Sequence, residues 1–84
     1  MKATLLAAVI LIGSAAPGFA DRPPTPDERA QIERVLRAEG FQSWGEIELD
    51  DGRWEVDDAR ASDGRKHDIK IDPRTMRIVE RDAD

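Results

Sequence analysis

Few residues in this chain have the chemistry for a reaction or a tightly held ion. His67 is the only histidine among 84 residues, and cysteine is absent. A lone imidazole needs partners. If the last two strands are joined by a four-residue turn over Asp72 to Thr75, Glu80 falls opposite His67 and Asp58 lies one step away. Two carboxylates and an imidazole can hold a divalent cation. Asp58, His67 and Glu80 are therefore the candidate metal ligands. The simpler expectation is a solvated sheet rim, with His67 at the open end of the core beside Arg60. A metal centre would also need fixed geometry and supporting hydrogen bonds. No motif here calls for a resident metal or cofactor.

Nucleophilic chemistry finds no support. Ser43 and Ser62 share a single histidine between them, and no glycine-rich elbow surrounds either. There is no phosphate-binding glycine loop. Carboxylates are plentiful, but the alternation places them on a wet sheet face rather than in a cleft that would separate their pKa values. An enzyme is not expected.

Binding is better supplied. Glu46, Glu48, Glu55 and Asp57 fall on the outer face of one hairpin, with Glu48 opposite Glu55. Lys70, Arg77 and Arg81 are expected on the same face of the next two strands. A face acidic on one half and basic on the other can be plain solvated surface or a docking face for a charged partner. Trp44 is off the alternation of Ile47 and Leu49. It can pack beside Phe41 or stay exposed as an anchor for a protein interface. The partner-binding candidates are thus Trp44, Glu46, Glu48, Glu55 and Asp57.

The formal net charge is −5. Such a chain, with no basic run, is a poor ligand for nucleic acid, which requires clustered Lys and Arg. One of the basic residues, Lys2, belongs to an N-terminal segment of a different character. "LLAAVILI" is too short an apolar run to span a bilayer, and "GSAAPGFA" sets small residues where a signal peptidase reads them. Residues 1–20 are expected to be a signal peptide cleaved after Ala20. The alternative is an uncleaved N-terminal membrane anchor. The lack of cysteine at the cleavage region rules out a lipoprotein anchor. A periplasmic or secreted product follows, with no membrane contact after cleavage and no disulfide to brace it.

The elements that must position these side chains follow from periodicity. Residues 21–25, rich in proline, read as an extended linker, and residues 26–84 as one domain. "TPDE" is a helix start: Thr25 caps, Pro26 takes the first position, and Glu28 completes a capping box. Ile32, Val35 and Leu36 follow at helical spacing for about four turns, and Gly40 ends the helix. The period then becomes two. "DDG" centres a hairpin on Asp51-Gly52, which sets Leu49 against Trp54 and Ile47 against Val56. "SDGR" centres a second on Asp63-Gly64 and sets Val56 against Ile71. "DPRT" makes a third turn before "MRIVE". The expected fold is α+β, one helix packed on a four-stranded antiparallel meander sheet. Its core is Ile32, Val35, Leu36, Phe41, Trp44, Ile47, Leu49, Trp54, Val56, Ile69, Ile71, Met76 and Ile78. That is one thin layer, too small to enclose a large ligand.

The residues "WEVDDARASDGRKHDIKIDPRTMRIVERD" resemble the PepSY domain of bacterial metalloprotease propeptides. The family pattern of a helix, a glycine and a strand ending in a D-G turn corresponds to Gly40 and Asp51-Gly52. Its later motifs correspond to Trp54-Glu55-Val56, Asp63-Gly64, Ile69 to Asp72, and Pro73-Arg74-Thr75-Met76. The resemblance covers nearly the whole of residues 21–84. One departure is Met76, where the family has a glycine at positive φ. Methionine suits that conformation poorly, so the turn is expected to avoid it and to lend Met76 to the core.

The resemblance implies a non-enzymatic binding or regulatory module that inhibits or regulates a protease, with a peptidase or envelope protein as partner. Two other classes fit the composition: a cation-responsive protein using its acidic clusters, and a structural subunit of an envelope assembly.

Overall fold

The computed structural model describes residues 20–84. The expected signal peptide lies outside the described residues, apart from Ala20.

Helix α1 spans Pro26–Ala38. The Thr25 hydroxyl accepts from the Glu28 N–H at 3.2 Å, and the Glu28 carboxylate accepts from the Thr25 N–H at 2.9 Å. This reciprocal cap satisfies donors that a helix start leaves orphaned. At the other end Gly40 takes φ +95°, a left-handed turn that stops the helix without steric cost. Ile32 and Leu36 are wholly buried, and Val35 packs against them.

The strands are β1 (Phe41–Ser43), β2 (Ile47–Asp50), β3 (Arg53–Ala61), β4 (Lys66–Asp72) and β5 (Arg77–Ala83). They form one antiparallel sheet, with β1 and β2 along one side of β3, then β4, then β5 outermost. Five strands stand where four were expected because the first is broken. Ser43, opposite Arg60, and Ile47, opposite Val56, share one register on β3, while the pairing shifts by a residue between Phe41, opposite Ala61, and Ser43. Between them the chain presses onto β3. Gly45 N–H donates to the Asp57 carbonyl at 2.8 Å, and Asp57 N–H donates to the Glu46 carbonyl at 3.0 Å. A side chain at position 45 would begin only 3.2 Å from that Asp57 oxygen.

The first hairpin matches its sequence. Asp51 and Gly52 hold φ of 53° and 79°, the paired left-handed residues of a tight hairpin turn. Leu49 faces Trp54, and Ile47 faces Val56. The second departs from expectation: Val56 faces Ile69 and Trp54 faces Ile71. One cause is a three-residue loop, closed by Ala61 N–H donating to the Arg65 carbonyl at 3.0 Å. The other is a bulge between Val56 and Ala59, where Asp57 and Asp58 stand against Asp68. The extra residue inverts the alternation. Ala59 is buried in the core, while Asp58 and Arg60 are exposed.

The third turn corrects the expectation for Met76. Its φ is 58°. Met76 N–H donates to the Asp72 carbonyl at 2.7 Å, and Arg74 N–H donates to the Asp72 carboxylate at 2.8 Å. A four-residue loop closed this way needs a left-handed last residue to re-enter the strand. Methionine accepts the strain, and its half-buried side chain packs against the core from beside Val35 and Ala38. A second bulge follows at Val79, since Ile71 faces Ile78 but Lys70 faces Glu80. Val79 is 51% exposed, and Arg81 comes to lie opposite Ile69 on the helix side. There its guanidinium covers the Phe41 ring at 5.1 Å and bonds the Glu39 carboxylate at 2.9 Å. This contact ties the helix end to the last strand.

The core joins Ile32 and Leu36 to Phe41, Ile47, Leu49, Trp54, Val56, Ala59, Ile69 and Ile71. Each large aliphatic side chain fully buried there contributes about 1.5–3 kcal/mol. With no cysteine available for a disulfide, this single layer carries the domain.

Candidate protein-interaction surface

The sheet face away from the helix carries its charges in cross-strand rows. Nearest the first and third turns, Asp50 faces Arg53 and Asp72 faces Arg77, so the signs alternate. The next row runs Glu48, Glu55, Lys70, Glu80. Lys70 Nζ lies 3.8 Å from Glu55 and 4.0 Å from Glu80, leaving Glu48 against Glu55. In the row after that every member is acidic: Glu46 beside Asp57, then Asp68 facing Asp82. The Asp58 bulge brings its carboxylate within 4.8 Å of those of Asp68 and Asp84. The result is an acidic band running from the link between β1 and β2 across β3, β4 and β5. It replaces the expected division between an acidic hairpin and a basic one. Arg81 is no longer on this face, because the Val79 bulge turned it over.

The band is electrostatically costly to itself. The Asp57 carboxyl is pushed up, first by partial loss of water although the residue is exposed overall, then by Asp68, Asp58, Glu46 and Asp84. Glu55 is also raised, by burial and by Asp50 and Asp57, against the opposing pull of Lys70. Like charges held close cost stability, and a surface of opposite sign would relieve that cost.

The candidate metal ligands are distributed differently from the sequence reading. Glu80 pairs with Lys70 on the outer face. His67 faces Ala59 on one side and Ala83 on the other, on the core side of the sheet. Its ring meets Phe41 edge-on at 5.6 Å, and its buried Nδ1 has no hydrogen-bond partner among the described residues. Arg60 is set against Lys66 instead of beside His67. Asp58 joins Asp68 and Asp84, which the sequence reading did not single out. Their signal was available in the alternation, since Asp68 precedes the inward Ile69.

Of the partner-binding candidates, Glu46, Glu48, Glu55 and Asp57 share the outer face. Trp44 does not. It is half-buried against the core, under the Arg37 guanidinium at 5.2 Å.

The segment before the helix is also more than a spacer. Arg22 pairs with Leu49 on the edge of β2, its N–H donating at 3.3 Å and its carbonyl accepting at 2.7 Å. Its guanidinium bonds both Glu28 oxygens, at 2.7 and 2.9 Å, and lies 5.3 Å from the Trp54 ring. That bond to Arg22, followed by the one from the Thr25 backbone, lowers the Glu28 carboxyl to about 2. An open groove of about 740 Å³ runs alongside, from Arg22 and Glu28 past Trp54 to Arg74. An arginine before two prolines carries no sequence signal of such a contact.

One helix over an antiparallel meander, reached through these turns, is the architecture expected from the resemblance. A family model described as peptidase propeptide and YPEB domain matches residues 2–82, and the chain belongs to this PepSY family. No curated protein and no solved structure matches it. Among the described residues no helix is long and apolar enough to cross a membrane.

Proposed function

We propose that this protein is a non-enzymatic binding module of the exported compartment that regulates a peptidase by docking on it. The observation that carries this reading is the acidic band: Glu46, Asp57, Asp68 and Asp82 in one row, backed by Asp58 and Asp84. Membership of a family described by peptidase propeptides supplies the class of partner. The physics supplies the kind of contact. A concentrated field of one sign steers a basic surface into place and favours it over acidic ones. Asp57, Asp68 and Asp82 lie within paired strands whose backbone is already ordered, so little is lost in fixing it on binding. The flanking row of Glu48, Glu55 and Glu80 extends the footprint, with Lys70 fixing register.

Residues 1–20 act as the export signal in this reading, and residues 21–84 form the working product. The test is an inhibition titration. The protein is added to a peptidase recovered from the same compartment, and cleavage of a protein substrate is followed. A saturable change in rate supports the reading. An unchanged rate at stoichiometric excess rules out direct regulation of that peptidase.

A further inference from the structure

The seat occupied by Arg22 has the parts of a ligand site, and the chain fills it with its own residue. Three groups from three elements meet there. Leu49 offers an edge N–H and carbonyl, Glu28 a carboxylate gripped through both oxygens, and Trp54 a ring face at 5.3 Å. The fork of a guanidinium satisfies the carboxylate in a way an ammonium cannot, and its plane suits the ring. The backbone pair accepts any extended chain running antiparallel to β2.

The resident occupant fits this seat incompletely. Alternation along β2 makes Ile47 the next residue whose backbone points outward. Continued pairing would set Pro24 against it, and proline has no N–H to donate. A strand with an ordinary residue at that place can bond Ile47 as well as Leu49. Among the described residues one pair of backbone hydrogen bonds holds the strap, and an incoming arginine regains the Glu28 and Trp54 contacts that Arg22 gives up, so exchange costs little.

We infer that the Arg22 seat is a docking site for an extended, arginine-bearing segment of a partner protein, which adds to the β2 edge by displacing the chain's own residues 21–24 and leaves the Thr25 cap in place. The strap is an intramolecular competitor. Its effective concentration is of the order of millimolar for so short a tether, so it screens out weak or unsuited segments. The site is separate from the acidic band and does not rest on it.

The probe is an acetylated and amidated pentapeptide, Ser-Arg-Thr-Thr-Val, with a lysine version as control. Binding to the exported protein is read from the Leu49 amide and Trp54 indole resonances. Arg22→Ala should bind the arginine peptide at least tenfold more tightly than the native protein. Arg22→Lys, which keeps the backbone strap and the cap, should move affinity in the same direction. The lysine peptide should bind at least tenfold more weakly. Glu28→Gln, which can still cap the helix, should remove binding in the Arg22→Ala background. Asp57→Lys should leave peptide binding unaltered, which separates this site from the band. Equal affinity of native and both Arg22 variants, equal affinity for the two peptides, or no saturable shift at millimolar peptide would overturn the inference.

Discussion

Met76 donates its N–H to the Asp72 carbonyl at 2.7 Å while holding φ at 58°. The pair closes the third turn, and the methionine bears a left-handed strain of about 1–2 kcal/mol. Its half-buried side chain offsets part of that. Met76→Ala should lose the packing and keep the strain, destabilising the domain by about 1–2 kcal/mol. Met76→Gly loses the same packing but relieves the strain, so it should be more stable than the alanine variant by about 1 kcal/mol. Urea melts decide. An alanine variant more stable than the glycine one would mean that φ is negative.

The Met76 turn also marks where the sequence stopped being legible. The helix could be read because its cap and stop are local: Thr25, Pro26 and Glu28 at one end, Gly40 at the other. The first hairpin could be read because Asp51-Gly52 admits few conformations. The bulges at Asp57-Asp58 and Val79 carry no glycine and no local mark. Each shifts the register by one residue, which moves Arg60 and Arg81 to opposite faces from those expected. A clue did exist. Extending the Trp54 and Val56 alternation would bury Asp58 and Arg60, whereas a one-residue shift buries Ala59 and half-buries Ala61. The candidate site suffered the same error. Glu46 and Asp57 were placed on the outer face, but Asp68, Asp82 and Asp84 were not singled out, and the transverse band depends on both bulges. Arg22 was missed because its partners, Leu49 and Trp54, are distant in sequence.

Acid stability should follow two opposed trends. Glu28 has its carboxyl lowered from 4.5 to about 2, so its contribution is present above pH 4.5 and lost as pH falls towards 2. Asp57 and Glu55 are raised. Charged, they oppose folding; as pH falls through their raised values, the folded state takes up protons first and stability rises. The expected profile therefore climbs modestly from neutral pH into mild acid and then falls. Asp57→Asn should flatten the climb, and Glu28→Gln should remove part of the fall. Both effects should be small, because these groups remain in contact with solvent. Urea midpoints from neutral pH to strong acid provide the check, and an uninterrupted decline in the native protein would contradict the assignment of Asp57.

Divalent cations test the competing cation-responsive reading. Asp58, Asp68 and Asp84 come within 4.8 Å of one another, but Asp58 and Asp84 are exposed, and a tight site needs fixed ligands with outer-shell support. Calorimetric titration with Ca²⁺ or Zn²⁺ should show no tight binding. A submicromolar site removed by Asp68→Asn would favour the cation-responsive reading. One removed instead by His67→Ala would restore the histidine-centred site.

Docking of a basic peptidase surface on the acidic band would make association depend on charge. Its most direct measurement is the association rate with that peptidase at low and high salt, for the native protein and for Asp57→Lys combined with Asp82→Lys. Field-driven association is screened over about 8–10 Å at physiological ionic strength. The native rate should fall roughly tenfold or more as salt is raised. Charge reversal should slow association by a similar factor while leaving the urea melt unchanged or improved, since it removes like-charge repulsion from the band. An association rate indifferent to both salt and charge reversal would contradict docking through this face.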